Sequence, residues 1–118
     1  MTIQFDLVTI DSPDTERMAA FWIAAMGLVE SEREDVDRWI VLSSADGVRR
    51  IGIQRGDHRL GGVHLDLSCT SEEFADERER LLALGATETR PARVEHYGAI
   101  ANLADPDGNL FDLCAYVH

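Results

Sequence analysis

Ala104-Asp105-Pro106-Asp107-Gly108-Asn109-Leu110-Phe111-Asp112-Leu113 is the stretch from which the fold of this chain can be read. Pro106 presets φ, the neighbouring aspartates offer side-chain acceptors to the turn backbone, and Gly108-Asn109 tolerates positive φ. A turn therefore joins an incoming strand to an outgoing one. The outgoing strand, Leu110 to Val117, alternates: Leu110, Asp112 and Cys114 share one face, Phe111, Leu113 and Ala115 the other. Asp112 is an acid where a purely structural strand would carry an apolar residue or Thr, which makes it the first candidate for chemistry.

Working outward from this turn, Ala99 to Ala104 reads as the incoming strand and Ala86 to Arg90 as the one before it. Ahead of them Phe74, Leu81, Leu82 and Leu84 form the stripe of a helix that Thr70 and Glu73 open as a capping box and Gly85 ends. Val63 to Cys69 is the strand that feeds it. The same order occurs earlier. Ile3 to Ile10 is a strand rich in β-branched residues; Ser12 caps a helix with Pro13 at its first position, and Asp14 and Glu16 complement its dipole. Met18, Phe21, Trp22 and Ala25 supply its stripe, and Gly27 ends it. Leu28 to Glu32, Arg38 to Ser44 and Arg49 to Arg55 complete the set, with Ala45-Asp46-Gly47 as the turn between the last two.

Gly27 and Gly85 are 58 residues apart, as are Gln54 and Asp112. Two copies of one β-α-β-β-β unit describe the chain economically, about 1–57 and 62–118, with Gly56 to Gly62 as the connection. The predicted class is α+β. One helix covers one face of each four-stranded sheet, so the uncovered faces are expected to pair into a curved, partly closed sheet around a cleft. Concave sites of that kind suit small molecules, so inward-facing residues become the functional candidates.

Composition narrows the classes. The chain has 118 residues, 45% of them hydrophobic, enough for one domain with its own core. Its formal net charge of −11, from 22 acidic against 11 basic residues, argues against nucleic acid and anionic membrane surfaces as partners. Cys69 and Cys114 sit inside apolar strand-like runs and read as buried thiols, with no Cys-x-x-Cys or Cys/His cluster. Met1 to Ile10 lacks the basic start and apolar run of a signal peptide, so a cytoplasmic location is expected. No Gly-rich phosphate loop, Gly-x-Ser-x-Gly elbow or His-Glu-x-x-His helix occurs, which disfavours phosphoryl transfer, hydride transfer and serine hydrolysis.

Ile10-Asp-Ser-Pro-Asp14, Ala20-Phe-Trp22, Met26-Gly27, Val63-His-Leu-Asp-Leu67, Ala83-Leu-Gly-Ala86 and Asp105-Pro-Asp-Gly-Asn109 with Phe111, in this order and spacing, make the chain similar to the glyoxalase, bleomycin-resistance and extradiol-dioxygenase superfamily, called vicinal oxygen chelate. Within it the chain resembles the short glyoxalase-like domains. The resemblance implies paired β-α-β-β-β modules, often a homodimer, and in metal-using members a ligand on the first and last strand of each module. It puts His64 and Asp112 at those positions in the second module and Gln54 near the last-strand position of the first. For the remaining position, counting back from Asp14 gives Leu7, which cannot bind metal, whereas the repeat offset gives Asp6; strand parity favours Leu7.

His64 shares its strand face with Asp66 and Ser68, too polar a face for burial against hydrophobics, so it is expected to line a wet cleft. A strand histidine hydrogen-bonded to Asp66 or Asp112, a pocket residue or general base, and a metal ligand are its three readings. Asp112 is a metal ligand, an orienting partner for His64 or a rim carboxylate. Trp39 and Tyr97 are aromatics placed to stack on a flat ligand. His58 and His118 read as solvated, as do the arginines of Arg49-Arg50 and Arg90-Pro-Ala-Arg93.

The leading expectation is a dimeric glyoxalase-like protein that holds a small organic ligand through Leu7, Trp39, Gln54, His64, Tyr97 and Asp112. It sequesters the ligand or processes it without metal through His64, and no cofactor is expected. The alternative is a metal-dependent lyase, isomerase or dioxygenase in which His64, Asp112 and Gln54 hold iron, zinc, nickel or manganese.

Overall fold

The computed structural model describes residues 6–58 and 64–116, and the chain divides into two compact units, Met1–Arg59 and Leu60–His118. The first runs β1 (Val8–Ser12), α1 (Thr15–Met26), β2 (Val29–Glu34), β3 (Trp39–Ser43) and β4 (Arg50–Arg55); the second runs β5 (Leu65–Ser68), α2 (Phe74–Leu84), β6 (Thr87–Glu95), β7 (Gly98–Ala104) and β8 (Leu110–Tyr116). Both are β-α-β-β-β modules of one topology, with strand orders β1-β4-β3-β2 and β5-β8-β7-β6. The first and last strand of each module pair in parallel, and the remaining pairs are antiparallel. The α+β class and the repeated module expected from the sequence are observed, and among the described residues each sheet is open, not closed on itself. Ile3, Val63, Val117 and His118 fall outside the described residues.

In the first module Val8 and Ile10 stand beside Ile51 and Ile53, which stand opposite Leu42 and Ile40. That apolar face faces α1, whose Met18, Phe21, Trp22 and Ala25 are all buried, as their spacing predicts. Phe21 and Trp22 meet edge to face, centroids 5.0 Å apart. Gly27 ends the helix in the left-handed region (φ 65°), its N–H donating to the carbonyl of Ile23. The start differs from expectation. Asp14, not Ser12, is the cap: its carboxylate accepts from the Arg17 N–H at 3.1 Å, while β1 extends through Ser12, whose hydroxyl accepts from the Asp14 N–H. The buried Thr15 hydroxyl donates to the Asp37 carbonyl at 2.6 Å, and Arg55 pairs with the Asp37 carboxylate, so the β2–β3 loop is tied to the helix start.

The second module repeats the scheme with a thinner helix. Thr70 accepts from the Glu73 N–H at 3.3 Å, but this closes a turn, and α2 itself begins at Phe74. Leu81 is buried, Phe74 and Leu82 are half-buried, and Leu84, expected in the stripe, is exposed at 37%. Arg78 on α2 instead bonds Glu88 on β6 at 2.5 Å. β6 runs on to Glu95, beyond the expected end at Arg90, because register shifts around Arg90 accommodate Pro91 on an edge strand that needs no second set of donors. The Asp105–Asn109 turn is built around one buried carboxylate: Asp105 accepts from the N–H groups of Asp107 (3.0 Å) and Asn109 (2.8 Å) and from the Asn109 amide (3.0 Å). Gly108 takes φ 88° there, the positive value the sequence pattern requires. No helix among the described residues is long and apolar enough to cross a membrane.

Candidate metal centre

β5 alternates half-buried Leu65 and Leu67 with exposed Asp66 and Ser68. The leucines stand beside buried Phe111 and Leu113 of β8, so Asp66 stands beside Asp112 on the opposite face. Parallel neighbours lie about 4.8 Å apart, a spacing that brings two carboxylates on one face within mutual reach. His64 precedes Asp66 by two residues and is in phase with it; its Nε2 lies 3.4 Å from Asp66 Oδ1. One ligand atom each from His64, Asp66 and Asp112 fall within 4.8 Å of one another. His64 and Asp66 are 55% and 61% exposed, too wet for their pairing to hold the module together, so the group is free to serve another role.

Asp112 is half-buried and held from its other side. Across β7, Asn102 is its register partner, and the Asn102 amide donates to Asp112 Oδ1 at 2.7 Å. Asn102 Oδ1 in turn accepts from Arg93 Nη1 on β6 at 2.8 Å, and Arg93 Nε donates to Glu95 at 2.9 Å. A row Asp66, Asp112, Asn102, Arg90 thus crosses all four strands. Arg93, expected to be solvated, is engaged in that row's hydrogen bonds.

A neutral imidazole and two carboxylates present one nitrogen and two or more oxygens with a charge of −2. That donor set suits a divalent first-row ion of the manganese, iron, nickel or zinc kind, with positions left for an oxygen ligand. The residues present therefore fit a metal. Of the ligands expected from the sequence, His64 and Asp112 are in this group, whereas Gln54 lies on β4 of the first module; Asp66 is expected only as a hydrogen-bond partner of His64, and nothing in the sequence singles out Asn102.

The first module carries the equivalent row Asp11, Gln54, Trp39, Glu34. Gln54 is exposed, and its β1 neighbour is Asp11; Thr9 and then Leu7 follow at two-residue steps, while Val8 and Ile10 take the α1 side. Leu7 precedes β1 and is half-buried, and Asp6 pairs with Arg50. Trp39 lies over Gly52, and its indole N–H donates to Glu32 at 3.0 Å. Tyr97 sits in the β6–β7 turn against His96, centroids 5.2 Å apart; five residues along β7 from Asn102 is about 16 Å, so it does not join the His64 group. His58 is half-buried, not fully solvated. Cys114 is buried as expected, whereas Cys69 is only half-buried; burial, with Glu77 and Glu73 adding to it, pushes the Cys69 thiol up, which disfavours its reactive thiolate.

Comparison with known proteins places the fold. The chain is similar in fold to a glyoxalase/bleomycin resistance protein/dioxygenase family enzyme from Burkholderia phytofirmans PsJN, at 21% identity over 95% of this chain and 98% of that one, TM-score 0.82. It is similar to the fosfomycin resistance protein FosX from Listeria monocytogenes, solved as a mutant with Mn(II) and 1S,2S-dihydroxypropylphosphonic acid, at 24% identity over 99% and 93% of the chains, TM-score 0.82. A second FosX structure, with Mn(II) and sulfate, matches at 26% identity over 99% and 93%, TM-score 0.79. No curated protein matches the sequence. The sequence profile of the glyoxalase-like domain matches residues 7–114, nearly the whole chain, across both β-α-β-β-β modules: this chain belongs to the glyoxalase-like domain family.

Proposed function

We propose that this protein binds a small oxygen-bearing organic molecule on the second module, at a divalent cation held by His64, Asp66 and Asp112. The observation that carries the reading is the convergence of three donor atoms within 4.8 Å on one sheet face. FosX, solved with Mn(II), supports it from outside the chain. A bound divalent ion would supply Lewis acidity toward neighbouring ligand oxygens and stabilise negative charge that develops on them. The protein's own groups set the rest. Asp66 Oδ1 lies 3.4 Å from His64 Nε2, and Asn102 fixes one oxygen of Asp112. Leu110, 48% exposed and in phase with Asp112, offers an apolar wall for the ligand's carbon skeleton. The reaction class that fits is lyase, isomerase or dioxygenase chemistry on vicinal oxygens.

A second reading, binding or processing without metal, is favoured by the His64–Asp66 pair, in which a carboxylate orients an imidazole as it would orient a general base. The two separate on one measurement. Protein purified without chelator or nickel resin is titrated with Mn(II) by calorimetry, beside His64→Ala and Asp112→Asn. About one ion per chain, with at least tenfold weaker binding in either variant, supports the metal reading. No Mn(II), zinc, iron or nickel binding in the wild type removes it in favour of the second. For either reading we propose a homodimer in the cytoplasm; sedimentation of the purified protein tests the dimer.

A further inference from the structure

We propose that Asn102 is a positioning residue for Asp112, and that Arg93 sets which way its amide points. The inference rests on the cation-binding reading of His64, Asp66 and Asp112. Arg93 has donors only, so the Asn102 atom it touches at 2.8 Å must be the carbonyl Oδ1. That fixes Nδ2 toward Asp112, whose Oδ1 it meets at 2.7 Å. Both bonds involve one charged partner and belong to the stronger class.

An amide is the group this place requires. It accepts from a cation on one side and donates to an anion on the other, while adding no charge of its own. A leucine would serve neither neighbour; a carboxylate would suit Arg93 but set like charge against Asp112. The chain Glu95, Arg93, Asn102, Asp112 runs through β6, β7 and β8, so its geometry is held by sheet register and not by a loop. With Oδ1 engaged, Oδ2 of Asp112 accepts no hydrogen bond among the described residues and keeps both lone pairs for the shared ligand position.

The test is Mn(II) affinity of the full chain, read by calorimetry and by the electron paramagnetic resonance of bound Mn(II), together with thermal unfolding in excess EDTA. Asn102→Leu is expected to weaken Mn(II) about 10- to 100-fold and alter the bound-ion spectrum. Arg93→Met weakens it in the same direction, Arg93→Lys restores it to within about threefold because a donor to Oδ1 returns, and the double variant is no weaker than Asn102→Leu alone because both remove one link. If the wild type binds Mn(II), His64→Ala abolishes binding, and Asn102→Leu binds like wild type with only its unfolding temperature lowered, the residue is structural and the inference is overturned while the metal reading stands. If the wild type binds no Mn(II), both fall. Should Asn102→Leu fail to fold, equal affinity of Arg93→Met and Arg93→Lys overturns the inference on its own.

Discussion

The indole of Trp39 lies directly on Gly52 of the neighbouring strand: a Cβ built at Gly52 would run into the ring, with Cζ3 at 2.9 Å and Cζ2 at 3.0 Å beyond its nearest contact, Cη2. Glycine is therefore required there by close approach and not by backbone angle. Gly52→Ala is expected to push Trp39 off the sheet and cost about 1–3 kcal/mol by overpacking. Tryptophan fluorescence checks it, since Trp22 is buried in the core and only Trp39 should move to a wetter emission. Unchanged emission with unchanged stability would mean that the Trp39 ring does not rest on Gly52.

Asp105 holds its turn through three accepted hydrogen bonds while 3% exposed. Asp105→Ala leaves the donors of Asp107 and Asn109 without that acceptor and is expected to cost about 2–3 kcal/mol. Urea unfolding with an unchanged slope measures it. Asp105→Asn, which keeps one acceptor, falls between the two.

Val36 sits at φ 64° in the β2–β3 loop and is 84% exposed. A β-branched residue in the left-handed region stores strain and here buries nothing in return. Val36→Asn or Val36→Gly should stabilise the fold by about 1 kcal/mol, seen as a higher urea midpoint. A loss of stability in both would mean that the valine side chain has a partner.

Asp66 was not among the sequence-derived ligands, and it supplies the most specific check of the cation site. Asp66→Asn keeps size and hydrogen bonding but removes a charge, so Mn(II) affinity should fall at least tenfold with little change in unfolding temperature, the side chain being 61% exposed. Full retention of affinity would leave His64 and Asp112 as the donors of this group among the described residues.

Cys69 has its thiol pushed up by burial and by Glu77 and Glu73. The folded chain therefore favours the neutral thiol. The stability this gives is present below the ordinary thiol range and is lost as pH rises through that range to the raised folded value. Cys69→Ser should flatten the alkaline fall in unfolding temperature, and alkylation of Cys69 by iodoacetamide should be slow at neutral pH, with a midpoint above that of an ordinary thiol. A midpoint at or below the ordinary value would contradict the burial argument.

The sequence by itself determined the two β-α-β-β-β modules, the helix stripes Met18, Phe21, Trp22 and Ala25, the C-terminal glycines Gly27 and Gly85, and the turn around Asp105. These are local: helical and strand periods, caps and turns act over a few residues, and hairpin register follows from the turn that closes it. Asp112 was legible as an acid on a strand face, and His64 as a polar residue in phase with Asp66, although it lies just ahead of β5. Asp66 as a donor was not, because its place beside Asp112 depends on the parallel pairing of β5 with β8, which no turn specifies and which a helix and two strands separate. The same holds for Asp11 beside Gln54, where counting along the chain pointed to Leu7 or Asp6. Asn102 and Arg93 read as ordinary strand residues until three strands set them in line with Asp112. Only the tertiary structure decided which side chains meet, since lateral register between strands distant in sequence is fixed by packing of the whole sheet and not by any period within one strand.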